Sequence, residues 1–206
     1  MIDNFNKRII SIILISPLII VAIFLGGLVM NFLLFIIFII GVYEVFNLKK
    51  ILSKIIILIL LILFVYSIHT IRKITNGDLH LYLIILITWL SDIGGYIFGK
   101  FIGGKKIKII SPNKTYSGFV GSMLMSLLSL FFINKYNFFF NENLQMNFLL
   151  VIFLSILVIL GDLLFSYFKR ENNIKDYSNL IPGHGGIFDR IDGMILLTIF
   201  YKFLLL

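Results

Sequence analysis

Uninterrupted apolar runs constrain this chain more than any other feature of its sequence. Segments such as FLLFIIFII (32–40) and SKIIILILLILFVYS (53–67) do not alternate polar with apolar residues, as the strands of a membrane β-barrel must. The runs are roughly 15–20 residues long, near the ~20 that a helix rising 1.5 Å per residue needs to cross a ~30 Å hydrocarbon core. Only 14% of residues are charged and 60% are hydrophobic, where a soluble domain carries about 25% charged residues. The expected fold is therefore all-α: a polytopic transmembrane helix bundle of about seven spans. They are predicted at approximately 9–26, 28–46, 54–69, 80–99, 116–133, 147–168 and 187–206. Gly26-Gly27, the lysines Lys49, Lys50 and Lys54, and the polar stretch 70–78 punctuate the first of them. No internal repeat and no linker is visible, so a single membrane-embedded domain over 1–206 is expected, with N-terminal spans in 1–80 and the chemically richer half in 81–206.

Charge sets the orientation. With a cytoplasmic N-terminus, Lys7, Arg8, Lys49, Lys50, Lys54, Lys100, Lys105, Lys106, Lys108, Lys114, Lys169, Arg170 and Lys175 all fall inside, leaving Arg72, Lys73 and Lys135 in outer loops. The long loops 100–115 and 169–186 then share the cytoplasmic side. The net charge of +8 reports topology and attraction to anionic headgroups and substrates. It does not indicate nucleic acid, because no basic, aromatic-interleaved soluble domain exists to bind one. The chain has no cysteine, which excludes disulfide, thiol-redox and cysteine-zinc chemistry. The basic, apolar N-terminus is read as a first span, not a cleaved signal, since its apolar stretch is long and leads directly into another.

Carboxylates in membrane helices are costly and tend to face polar cavities with partners. Glu44, Asp92, Asp162, Asp189 and Asp192 lie in or at the ends of predicted spans, all toward the cytoplasmic side. In GDLLFSYFKR, Asp162, Ser166, Lys169 and Arg170 fall at i, i+4, i+7 and i+8, along one helical face. In GIFDRIDG, Asp189 and Asp192 are three apart and therefore neighbours on a helix surface, with Arg190 pointing elsewhere. Two such carboxylates repel unless a cation lies between them. With Asp162 they form a candidate site of hard oxygen ligands for Mg²⁺.

Two loops add binding chemistry. In LIPGHGG (180–186), Gly183, Gly185 and Gly186 precede a helix whose free N–H groups would suit an anion. In the other, Ser111, Asn113, Lys114 and Thr115 supply hydroxyls, an amide and a cation for phosphate or cytosine, with Thr115 alternatively an N-cap. Gly95, Gly99 and Gly103 recur every four residues and are assigned to close helix packing. Asp92 sits in the polar patch beside them.

The segment SYFKRENNIKDYSNLIPGHGGIFDRID (166–192) resembles the signature of the phosphatidate cytidylyltransferase family along its whole length, and DIGGYIFGK (92–100) and SPNKT (111–115) resemble further family segments. Where Trp-Glu-Gly usually follows in the family, the chain has Tyr116, Ser117 and Gly118, departing at the first two positions, and it departs again at Phe165, where Glu is common. The resemblance implies a bacterial inner-membrane enzyme that joins CTP and phosphatidic acid to give CDP-diacylglycerol and pyrophosphate, with its active site facing the cytoplasm. It adds Lys175, Asp176 and His184 to the binding residues. On this basis Asp162, Asp189 and Asp192 are expected to hold Mg²⁺, with a second cation left open. Lys169, Arg170 and Arg190 are expected to hold phosphates, and Ser166, His184, Gly185 and Gly186 to orient substrate. A homodimer is left open. The alternatives are a CTP-dependent lipid kinase, whose acceptor is an alcohol, an ion-coupled transporter, whose carboxylates would be spread through the membrane depth, and a catalytically degenerate structural protein, which the departures at Ser117 and Phe165 would suit.

Overall fold

The computed structural model describes residues 17–107, 114–138, 143–180 and 185–205. Among them the chain forms helices and turns, with one isolated antiparallel bridge between Lys106 and Thr115. Helix α1 is described over 17–25. It is followed by α2 (Gly27–Phe46), α3 (Ile51–Arg72), α4 (Gly77–Phe101), α5 (Tyr116–Ser126), α6 (Leu130–Tyr136), α7 (Leu144–Glu171) and α8 (Phe188–Leu205), and a 3₁₀ turn at Leu127–Ser129 joins α5 to α6. Among the described residues, five stretches are long and apolar enough to cross a membrane: α2, α3, α4, Tyr116–Tyr136 and α7. Helix α8 carries Asp189, Arg190, Asp192 and Lys202 within its 18 residues, which lowers its hydropathy. The all-α polytopic membrane fold expected from the sequence is the fold observed.

Several helices run a few residues beyond their predicted apolar limits, because a polar terminal turn still satisfies its backbone by i→i−4 bonding. Asparagine sets the stop at two of these ends, Asn137 after α6 and Asn173 after α7, while Asn76 stands in the turn ahead of α4. Asn76, Asn137 and Asn173 adopt φ of 59°, 51° and 57°, a left-handed geometry that Asn tolerates better than most residues. At the end of α7 the Ile174 N–H donates to Lys169 O at 3.0 Å and the Asn173 N–H to Arg170 O at 3.1 Å. These are the two bonds of a Schellman motif, and they turn the chain sharply after the basic pair.

The chain divides into two compact units. One comprises the described residues up to Tyr82 together with Phe168–Asp192; the other comprises Leu83–Tyr167 and the described residues from Gly193 onward. In the first, α2 packs on α3 through Gly41, where an added Cβ would lie 2.7 Å from a Leu61 methyl. In the second, α4 packs on α5 through small residues. A Cβ on Gly95 would lie 2.8 Å from Ser122 Oγ, one on Gly118 2.8 Å from Gly95 O, and one on Gly94 2.7 Å from Met125 Cβ. The packing role expected of Gly95 and Gly99 therefore holds, with Gly94 added to it. Gly103 is a correction: it has nothing within 4 Å of its missing Cβ and a φ of +65°, so it serves the turn after α4 and not the helix contact.

Candidate functional site

The signature residues of the first unit gather around Asp189, at the head of α8. Lys169 lies in the last turn of α7, and its ammonium donates to Asp189 Oδ1 at 2.8 Å. Asp189 Oδ2 accepts the backbone N–H of Tyr177 at 2.9 Å and of Gly186 at 2.8 Å. The pair is secluded, with side-chain exposures of 16% for Lys169 and 5% for Asp189. Lys169 also stands 5.7 Å from the centroid of the Tyr177 ring, and that ring packs at 5.3 Å on Phe188. Burial, followed by the charges of Asp189, Asp192 and Glu44, pushes the Tyr177 phenol up, so it stays neutral. Gly185 has a φ of +84°, and a Cβ there would lie 2.7 Å from Asp189 Oδ2. Both constraints require glycine.

Glu44, near the end of α2, completes this cluster. Its side chain is fully buried. Oε1 accepts the Ser178 hydroxyl and the Ile187 N–H, each at 2.7 Å, and Oε2 accepts the Phe188 N–H at 3.1 Å. From sequence alone the N–H groups at the head of α8 are expected to be free for a substrate anion. The structure corrects this, since those of Gly186, Ile187 and Phe188 already donate to protein carboxylates. A second tie runs from Asn172, whose Oδ1 accepts the N–H groups of Lys49 at 2.9 Å and Lys50 at 2.8 Å. Beside it Ser53 donates to Glu171 at 2.6 Å. Of these residues the sequence pointed only to Glu44, as a carboxylate in an apolar run. Asn172 carried no signal beyond its place between the basic pair and the loop.

The second unit holds a cavity of about 400 Å³, whose polar lining includes Asp92, Tyr96, Lys100, Lys114, Thr115 and Asp162 beside apolar residues such as Phe119, Val158 and Ile159. Lys114 pairs with Asp162, and both side chains are about 30% exposed, at 28% and 31%. Lys100 lies 3.2 Å from the Tyr96 hydroxyl. Thr115 is the N-cap of α5, accepting the Gly118 N–H at 3.1 Å, so the capping alternative is realised. Ser117, at a position where the family pattern has Glu, donates to Gly103 O and holds the turn after α4. Phe165, at the other departure, is fully buried. The structure thus brings Asp92, Lys114, Thr115 and Asp162 together, and adds Lys100 and Tyr96, which the sequence reading had not assigned.

Asp162 belongs to one unit, whereas Asp189 and Asp192 belong to the other. Within each unit, among the described residues, no three acidic or histidine side chains form a metal-holding group. Arg170, Lys175, Asp176 and Arg190 are exposed, and Ser166 and Asp192 half-buried. Ser111, Asn113 and His184 lie outside the described residues.

A family model for the cytidylyltransferase family matches residues 47–206. The chain belongs to the cytidylyltransferase family. Both clusters lie within the matched region except Glu44, which precedes it. Among curated proteins, the phosphatidate cytidylyltransferase of Staphylococcus haemolyticus (strain JCSC1435) is 40% identical over 137 residues, covering 64% of this chain and 51% of that protein. Those of Staphylococcus saprophyticus subsp. saprophyticus and Staphylococcus aureus (strain COL) are each 40% identical over 134 residues, covering 62% of this chain and 50% of theirs. This cytidylyltransferase-family chain therefore spans about half the length of the curated relatives it matches.

Proposed function

We propose that the chain catalyses CTP-dependent cytidylyl transfer to phosphatidic acid, giving CDP-diacylglycerol and pyrophosphate for phospholipid biosynthesis. The observation that carries the reading is the cavity of the second unit, where two carboxylates and two lysines line a space of about 400 Å³ between membrane-spanning helices. Such a lining suits highly anionic reactants. The names of the curated relatives supply the specific reaction.

In the reaction, a phosphate oxygen of phosphatidic acid attacks the α-phosphorus of CTP. The bond from that phosphorus to the bridging oxygen breaks, and pyrophosphate leaves. The attacking phosphate is ionised at neutral pH, so no strong general base is needed. The main obstacle is repulsion between the reactants, which fixed cations reduce. Lys100 and Lys114 are the cavity's two ammonium groups and are assigned to phosphate oxygens. Asp92 and Asp162 present hard carboxylate oxygens to the same cavity, a donor chemistry that fits Mg²⁺. When bound there, Mg²⁺ would neutralise phosphate charge and polarise the phosphorus.

The signature loop of the first unit has its own assignment. Lys169, Arg170 and Arg190 are retained as phosphate-binding cations. Asp189 already accepts three donors of the roughly four that a carboxylate accommodates. Its principal task is thus to fix the loop, with Oδ1 the oxygen left for a cation and Asp192 its neighbour on α8. The distribution of basic residues supports placing the N-terminus and the cavity on the cytoplasmic side of a bacterial plasma membrane.

The test is turnover by purified full-length chain with phosphatidic acid, Mg²⁺ and CTP labelled at the α-phosphorus. Label is expected in the lipid, and chelation of Mg²⁺ is expected to abolish its incorporation. Label entering lipid only from the γ-position would instead identify a kinase and overturn the assignment.

A further inference from the structure

We infer that Glu44 is a positioning residue, a carboxylate that α2 contributes to hold the signature loop and the first turn of α8 in their working geometry. The inference rests on the cytidylyl-transfer reading for its kinetic consequence but not for its geometry.

A helix starts with backbone N–H groups that have no partner within the helix, and they carry the positive end of its dipole. At the head of α8 two of these donors, Ile187 and Phe188, point at the carboxylate of Glu44. The residue supplying that anion lies 143 and 144 positions earlier in the chain. The same carboxylate receives Ser178 from the middle of the signature loop. One buried side chain thus receives donors from both Ser178 and the head of α8.

Fit is as tight as the hydrogen bonding. A Cβ on Gly186 would lie 2.7 Å from Glu44 Oε2, so the glutamate in this position leaves room only for glycine at 186. Gly186 in turn donates to Asp189, the partner of Lys169. A shift at Glu44 would therefore reach Lys169 through two contacts, Gly186 and Asp189. None of these contacts gives Glu44 access to a substrate, since its oxygens are turned to protein donors and its side chain is fully buried. Nor does anything in its local sequence, an apolar helix before the region the family model matches, suggest the role.

The test uses full-length chain in lipid nanodiscs, with Glu44→Gln, Glu44→Asp, Gly186→Ala and the double variant Glu44→Asp/Gly186→Ala. Glutamine preserves volume but turns an NH₂ group toward N–H donors. It is expected to lower kcat by roughly 10- to 100-fold, the range for a small misplacement of reacting groups, while KM for CTP stays within about threefold. Hydrogen exchange over 176–189 is expected to accelerate, with α3 and α4 unchanged. Gly186→Ala is expected to be impaired as well, and the shorter aspartate at 44 to restore at least part of that loss, as coupled neighbours do. Wild-type kcat in Glu44→Gln, exchange that accelerates equally in every helix, or Gly186→Ala unrelieved by Glu44→Asp would each overturn the assignment. If wild-type chain makes no CDP-lipid, the cytidylyl-transfer reading fails by itself. The positioning role is then judged by exchange, and by whether Glu44→Asp restores the thermal stability lost in Gly186→Ala.

Discussion

Lys169–Asp189 and Lys114–Asp162 are the same two residue types paired in different settings. The first is nearly closed to solvent and tied into backbone, with both oxygens of Asp189 engaged. The second opens to a cavity, and its side chains are about twice to six times as exposed. An ion pair that also accepts backbone N–H groups is part of the scaffold, because removing either member leaves buried donors unsatisfied. An ion pair at a cavity wall contributes little to stability, where water screens it, and its groups remain within reach of a ligand. The contrast teaches that one motif vocabulary serves two purposes, and that burial and partners separate them.

The largest effect should come from the cavity. Asp162→Asn is expected to reduce CDP-diacylglycerol formation by roughly 100-fold or more, while changing thermal stability by no more than about 1 kcal/mol. A large fall in stability would erase the distinction between the two pairs. Asp189→Asn should lower both activity and stability, the latter by about 2–4 kcal/mol, since Lys169 loses its counter-charge and two backbone N–H groups lose a carboxylate. Near-normal activity in that variant would remove Asp189 from the site altogether. Gly94→Ala should cost about 1–3 kcal/mol in thermal unfolding by overpacking α4 against α5, and would show how far the cavity depends on that close approach. Asn172→Ala, which strips the acceptor from Lys49 and Lys50, should cost about 1–2 kcal/mol. A loss of activity beyond that of stability would show that this tie also serves the signature loop.

Much of the fold was legible because the bilayer imposes a simple rule. A run such as 53–67 has no soluble alternative, and the end of α2 at Phe46 followed from the lysines after it. Turn asparagines were harder to read. Asn173 ends α7 only because its left-handed geometry lets Ile174 and Asn173 reach back to Lys169 and Arg170. Of the candidate site, Asp92, Lys114, Thr115 and Asp162 were legible as polar residues near span ends, and they do line one cavity. Lys100 and Tyr96 were passed over because they stand in a glycine-rich stretch assigned to packing.

By itself the sequence determined the membrane class, the approximate spans, the membership in a family through the signature from Ser166 to Asp192, and the carboxylates and lysines available for chemistry. Local composition and spacing suffice for these. Only the tertiary structure decided which backbone donors at the head of α8 remain for a ligand. Their acceptor, Glu44, is more than 140 residues distant in sequence, and a hydrogen bond depends on where two groups meet in space, not on their spacing along the chain.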